Sequence, residues 1–176
     1  MTSKQELNGD SASRRDAPRS DLAAAQSCSR SRLIELIAHH ASMRASAVAI
    51  GEIGAEGELA RSCTYAELAA LSSRRADIVA ASTEPGDVIL GIMPSGIDFV
   101  VLFCAAISAG VKLLPMHTQV AGAEAVASAD RAGAKLAVLS DDVSAALSLQ
   151  HIEALTFPHH PGAESAGTCP LRRLRN

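Results

Sequence analysis

Three stretches decide the fold: Val88-Ile-Leu-Gly-Ile-Met-Pro-Ser-Gly-Ile-Asp-Phe-Val-Val-Leu-Phe103, Ala109-Gly-Val-Lys-Leu-Leu-Pro-Met116 and Ala132-Gly-Ala-Lys-Leu-Ala-Val-Leu139. Each holds a short apolar run closed by glycine or proline, and helical stretches lie between them. Val88–Met93 is apolar on both faces, which is the pattern of an inner parallel strand. Pro94-Ser95-Gly96 breaks it, and Ile97–Ala109 reads as a helix that is apolar nearly all round and ends at Gly110. Val111–Pro115 is the next strand, Ala123–Ala132 the next helix, and Lys135–Leu139 a further strand. Asp141 or Asp142 can cap a last helix running to about Leu149. Strand, helix, strand in this order implies right-handed crossovers, hence an α/β fold with a mostly parallel sheet and helices on both faces.

Upstream, Leu33, Ile34, Ile37 and Ala41 give one apolar helical face, with Ser31 or a neighbour as its cap. Ala47–Ile50 and Leu59–Cys63 flank the turn sequence Gly54–Gly57 and read as a hairpin. Thr64-x-x-Glu67 has the spacing of a capping box, in which the hydroxyl bonds the N3 amide and Glu67 reaches back to the N-cap amide. The helix it opens carries Leu68, Leu71, Ala76, Ile78 and Val79 and ends near Ser82, before the turn Glu84-Pro-Gly-Asp87.

A chain of 176 residues holds one domain with a real core. Hydrophobic residues at 48% against 20% charged describe a globular protein, and 2% aromatics without tryptophan leave the core to Ala, Val, Leu and Ile. The net charge of −3 offers no electrostatic footprint for nucleic acid. The uncharged run Phe99–Val111, bracketed by Asp98 and Lys112, falls short of the roughly 20 residues a membrane span needs. No apolar secretory segment opens the chain, and Glu6, Asp10, Asp16 and Asp21 argue against a transit peptide. Cys28, Cys63, Cys104 and Cys169 are scattered without metal-ligand spacing and read as reduced thiols in a cytoplasmic protein, Cys104 as a small buried hydrophobe. Residues 1–29 are polar and Ser/Arg-rich, the composition of a disordered arm. Residues 30–155 form the domain, and 156–176 an irregular tail with no period of either kind.

The chemistry-bearing patterns are thin. Gly91-x-x-x-x-Gly96 has the glycine spacing of a phosphate loop, but Ile97 and Asp98 stand where Lys and Ser/Thr are needed, and an aspartate there repels a nucleotide. Ser95 lacks the flanking glycines of a nucleophile elbow, with Met93 at the first of them. His39-His40 and His159-His160 are adjacent pairs, whose side chains diverge and seldom serve one ion. His117 follows a strand end, where ligands gather in open α/β sheets. Asp141-Asp142 and Asp98 fit helix starts as dipole partners. No residue is assigned a catalytic, cofactor-binding or metal role.

Thr64-Tyr-Ala-Glu-Leu68, Pro85-Gly-Asp-Val88, Pro94-Ser-Gly-Ile-Asp-Phe99, Ala109-Gly110 with Pro115, and Gly133-Ala-Lys135 follow one another with ordinary spacings. From about Leu33 to Leu139 this series resembles the N-terminal part of the adenylate-forming enzymes, the acyl- and aminoacyl-activating ligases that use ATP. The Pro94–Val100 turn and the long hairpin look most like the fatty-acyl-AMP ligases among them. The resemblance implies an incomplete N-terminal subdomain of the adenylate-forming fold. Its matched residues are scaffold. In the family a later Ser/Thr/Gly-rich loop holds ATP with Mg²⁺, and a catalytic lysine lies on a C-terminal domain. Ser165-Ala-Gly-Thr-Cys-Pro170 is the only echo of that loop, but Pro170 lacks the amide hydrogen required and the lysine position falls on Arg173 without its preceding proline. The resemblance therefore implies a ligase fragment inactive alone, without cofactor of its own, with a separate chain supplying the rest of the ligase domain as the expected partner. The alternative is a non-catalytic interaction or small-molecule-binding α/β module using the strand ends near Pro94 and His117.

Overall fold

The computed structural model describes residues 32–120, 122–144, 152–157 and 172–174. The expected N-terminal arm, His159-His160 and the Ser165–Pro170 echo lie outside those residues. A first helix, α1, covers residues 32–43. It is followed by β1 (Val48–Ile53), β2 (Leu59–Thr64), α2 (Tyr65–Ala80), β3 (Val88–Ile92), α3 (Ile97–Ala109), β4 (Lys112–Met116), α4 (Gly122–Ala132), β5 (Ala134–Ser140), α5 (Asp141–Ser144), β6 (Glu153–Phe157) and β7 (Arg172–Leu174).

β1 and β2 form an antiparallel hairpin. The main sheet runs β4-β3-β5-β6-β7; its first four strands are parallel, and β7 pairs antiparallel with β6. The three strands anticipated from sequence thus share one sheet, with β3 between β4 and β5. Two strands went unread. β6 carries buried residues to Phe157 and crosses the expected domain limit at 155, and β7 falls in the stretch read as an irregular tail. Leu33, assigned to the inner face of α1, is 38% exposed, whereas Ile34, Ile37 and Ala41 are partly buried.

Helices cover both faces. Val79 of α2 and Leu102 and Ala106 of α3 pack with Ile89, Leu136, Val138, Leu155 and Phe157 on one side. Ala125 and Ala129 of α4 and Val143 of α5 pack with Leu90, Ile92, Ala137, Leu139 and Ala154 on the other. The alternation along β3 and β5 distributes a continuous apolar run between two cores, which is why the strands show no polar face. A third cluster joins Cys63 of the hairpin to Leu68, Ile97 and Val101, and so seats β1–β2 against α2 and α3.

The local signals do what the sequence says. Thr64 Oγ1 accepts from the Glu67 amide while the Glu67 carboxylate accepts from the Thr64 amide, closing the capping box. Gly110 ends α3 at φ +72, a conformation other residues adopt at a cost.

Candidate functional site at the carboxyl ends of the strands

From β3 the chain turns through α3 to β4 on one side, then returns through α4 to β5 on the other. Open α/β sheets bind ligands at such a switch point, outside the carboxyl ends of the strands. A cavity of about 160 Å³ lies there, lined by Met93, Pro94, Ser95 and Gly96 after β3, Ser140 and Phe157 at the ends of β5 and β6, Asp98 of α3, and Glu52 and Arg61 of the hairpin.

Its polar wall is a chain of ion pairs. Arg61 donates to Glu52 Oε2 at 2.9 Å and to Asp98 Oδ2 at 3.3 Å. Arg75 donates to Asp98 Oδ1 at 2.8 Å and to the Asp98 carbonyl at 3.0 Å. The Arg75 guanidinium also lies 4.8 Å from the centre of the Phe157 ring, a cation–π contact. Arg75 is only 7% exposed, so its charge depends on Asp98. Glu52 Oε1 accepts from the Ile97 amide at 2.6 Å and thereby caps α3 from a distant strand. Every charge on this wall meets an opposite one.

Asp98 therefore does more than face the helix dipole: its carboxylate joins α2 to the hairpin. Glu52, Arg61 and Arg75 were not singled out in the sequence. His117 closes a local turn, its Nδ1 accepting from the Gln119 amide at 3.2 Å, and is not among the cavity residues. His40 packs tilted against Tyr65, with ring centres 5.0 Å apart and planes at 54°. Its imidazole is held below the ordinary value by desolvation, then by the Arg44 and His39 charges. Asp141 and Asp142 open α5 as exposed residues. Lys112 in β4 and Lys135 in β5 are exposed. Among the described residues no group of three or more His, Cys, Asp or Glu could hold a metal ion.

The phosphate-loop spacing dissolves in three dimensions. Gly91 is buried inside β3, and a Cβ there would lie 2.9 Å from Leu113 Cδ1 and 3.2 Å from Leu102 Cδ2. A Cβ at Gly96 would run into the Glu52 carboxylate. Both glycines make room for protein atoms, and the helix start beyond them already faces an anionic side chain. These residues do not fit a nucleotide phosphate.

Cys63 and Cys104 are buried free thiols. Burial pushes the Cys63 thiol up to about 11, with Glu67 and Asp98 adding to the shift and Arg61 opposing it. Burial also raises Cys104, while the Ser72 hydroxyl beside it pulls it back. Folding raises the Cys63 pKa from 9.0, so its contribution to stability is whole below pH 9 and falls as the pH rises towards about 11. The urea midpoint should decline over that window, and Cys63→Ala should flatten the decline. An unchanged slope in that variant would remove Cys63 as the cause.

A family model described as AMP-binding enzyme matches residues 37–166. Among solved structures, the chain is similar to a nonribosomal peptide synthetase, FmoA3, in its AMPPNP-bound form: TM-score 0.62, 22% identity, over 81% of this chain and 15% of that one. It is similar to the O-succinylbenzoate coenzyme A synthetase of Bacillus subtilis in complex with ATP and magnesium ion: TM-score 0.56, 20% identity, over 68% and 32%. It is similar also to the inhibitor-bound N-terminal domain of FACL13 from Mycobacterium tuberculosis: TM-score 0.57, 21% identity, over 72% and 33%. The chain spans 15% to 37% of the length of the similar structures. No curated protein matches it in sequence.

Proposed function

The chain belongs to the AMP-binding enzyme family, and from that premise we propose that it is the N-terminal scaffold of an ATP-dependent, carboxylate-activating ligase that needs further polypeptide to adenylate. The observation that carries this reading is the match over residues 37–166 by residues whose work is structural. Thr64 and Glu67 cap, Gly110 turns, and Gly91 and Gly96 admit Leu102, Leu113 and Glu52. Adenylation needs cationic groups and Mg²⁺ around the leaving pyrophosphate. Arg61 and Arg75 are committed to Glu52 and Asp98, and Lys112 and Lys135 lie exposed in β4 and β5. ATP and Mg²⁺ are thus assigned to the completed ligase, whether the remainder comes in the same chain or a separate one.

Leu36, Met43, Val48, Ile53, Leu59 and Phe103 are large exposed hydrophobics on α1, the hairpin and α3, consistent with surfaces that further polypeptide covers. No described helix is long and apolar enough to cross a membrane, and a cytoplasmic site of action is part of the proposal.

The test is carboxylate-dependent exchange of pyrophosphate into ATP, over acids from acetate to long-chain fatty acids. That range follows from the likeness of the Pro94–Val100 turn to fatty-acyl-AMP ligases. The 176-residue chain is expected to give no exchange. Exchange that vanished on substituting Gly167 or Arg173 would overturn the proposal, by placing a working nucleotide loop in the C-terminal segment.

A further inference from the structure

We propose that the outward face of α1 is a docking surface for an acidic amphipathic helix of a partner polypeptide. A helix with a single neighbour buries one apolar stripe, and α1 does so with Ile34, Ile37 and Ala41. A second apolar row runs beside it. Leu33, Leu36 and Met43 share one helical face at spacings of three and seven, and all three are exposed, Met43 at 72%. His40 completes the row between Leu36 and Met43, partly buried beside Tyr65. Exposed apolar anchors at this spacing are what a partner helix packs against.

The charges around the row choose the occupant. Helical spacing puts Arg32 and His39 along one flank, and Arg44, whose amide still bonds the His40 carbonyl, stands on the other. Arg44 is positioned without being neutralised: its guanidinium lies 5.1 Å from the centre of the Tyr65 ring, with Nη2 3.3 Å from His40 Nε2. Neither Arg32 nor Arg44 takes part in an ion pair among the described residues. Glu35, the one acid of α1, lies farther round the helix, behind Arg32 and His39. A second copy of this chain does not fit. Antiparallel alignment that sets Leu33 against Met43 also sets Arg32 against Arg44, and parallel alignment sets each cation on itself. A bilayer surface wants a broad apolar face, whereas this one is a single row with His40 inside it, and the net charge of −3 opposes anionic lipid. A helix with an apolar seam flanked by Asp or Glu meets both the row and the cations. The inference goes beyond the ligase reading and stands without it, because its readout is binding and not adenylation.

The probe is a designed helical peptide of about three heptads, with leucine at a and d and glutamate at e and g, which also keeps it from pairing with itself. Its twin carries lysine at e and g. Each is titrated at low salt into the full chain labelled with ¹³C at the methionine methyls, the Met43 signal being assigned with Met43→Leu. The acidic peptide should move the Met43 methyl, leave that of buried Met93 in place, and bind about tenfold more tightly than its twin. Leu36→Ser should weaken it about tenfold through lost apolar contact. Arg44→Glu should weaken the acidic peptide about threefold and strengthen the lysine twin, a reversal that a general loss of folding does not produce. Both side chains are exposed, and circular dichroism melts like that of the native chain confirm that the variants fold. Equal binding of the two peptides, binding of neither, or a Met43 methyl that stays in place would overturn the proposal. So would vesicles of phosphatidylcholine and phosphatidylglycerol that move Met43 as the peptide does, or a Met43 signal that shifts with the concentration of the chain alone.

Discussion

Replacing Asp98 with Ala is expected to lower the free energy of unfolding by about 3 kcal/mol, because it strands a buried guanidinium. Arg75 is 7% exposed and holds Asp98 Oδ1 at 2.8 Å, so losing the carboxylate leaves a cation out of water with only a carbonyl and the face of Phe157. Arg61 loses its 3.3 Å contact at the same time, but it keeps Glu52 and is more exposed. The cost should therefore follow Arg75. The double variant Asp98→Leu with Arg75→Met removes both charges and keeps apolar volume, and it should recover most of the stability. Urea unfolding of the three chains decides the matter. A loss below about 1 kcal/mol in Asp98→Ala would mean that the pair behaves as a solvated surface bridge.

Arg75 also shows how much of the wall was legible in the sequence. Leu68, Ser72, Arg75 and Val79 are the buried positions of one α2 stripe, spaced by four, three and four residues. Arg75 was not singled out because arginine, by residue type, usually faces water. Reading by position alone would have put it inward and asked for its partner. Glu52 and Arg61 gave no such signal. Charged residues on a short hairpin usually face water, and only the docking of that hairpin on α3 turns them inward. Their partners lie 45 and 37 residues away, a separation that local patterning does not carry.

The sheet was more readable because its signals are local. The inner strands β3 and β5 betray themselves by apolar runs on both faces, β3 followed by Pro94 and β5 by the helix-opening Asp141, and the edge strand β4 is announced by Gly110 before it. β6 has only five residues, Glu-Ala-Leu-Thr-Phe, and too short a run for period to separate strand from buried helix. β7 has three, two of them arginine, and owes its form to pairing with β6. Strands defined by a neighbour's backbone leave little mark on their own side chains.

Gly91 supplies the second large effect, through its coupling to Leu102. Leu102→Ala removes a fully buried side chain from the core shared by α2, α3 and the sheet, and should cost about 3 kcal/mol, transfer and cavity terms together. Gly91→Ala should cost about 1–2 kcal/mol by overpacking, since its new methyl would lie 3.2 Å from Leu102 Cδ2 and 2.9 Å from Leu113 Cδ1. These changes oppose one another in space. In the double variant the methyl at 91 enters part of the volume that Leu102 vacates, and only Leu113, half-buried on the edge strand, still has to yield. The double variant should then be at least ~0.5 kcal/mol more stable than the sum of the single losses requires. Chemical denaturation of the four chains closes the cycle. Strict additivity would show that Gly91 is glycine for some reason other than the close approach of Leu102. Positive coupling would place its missing side chain in the packing of the sheet, where a phosphate has no access.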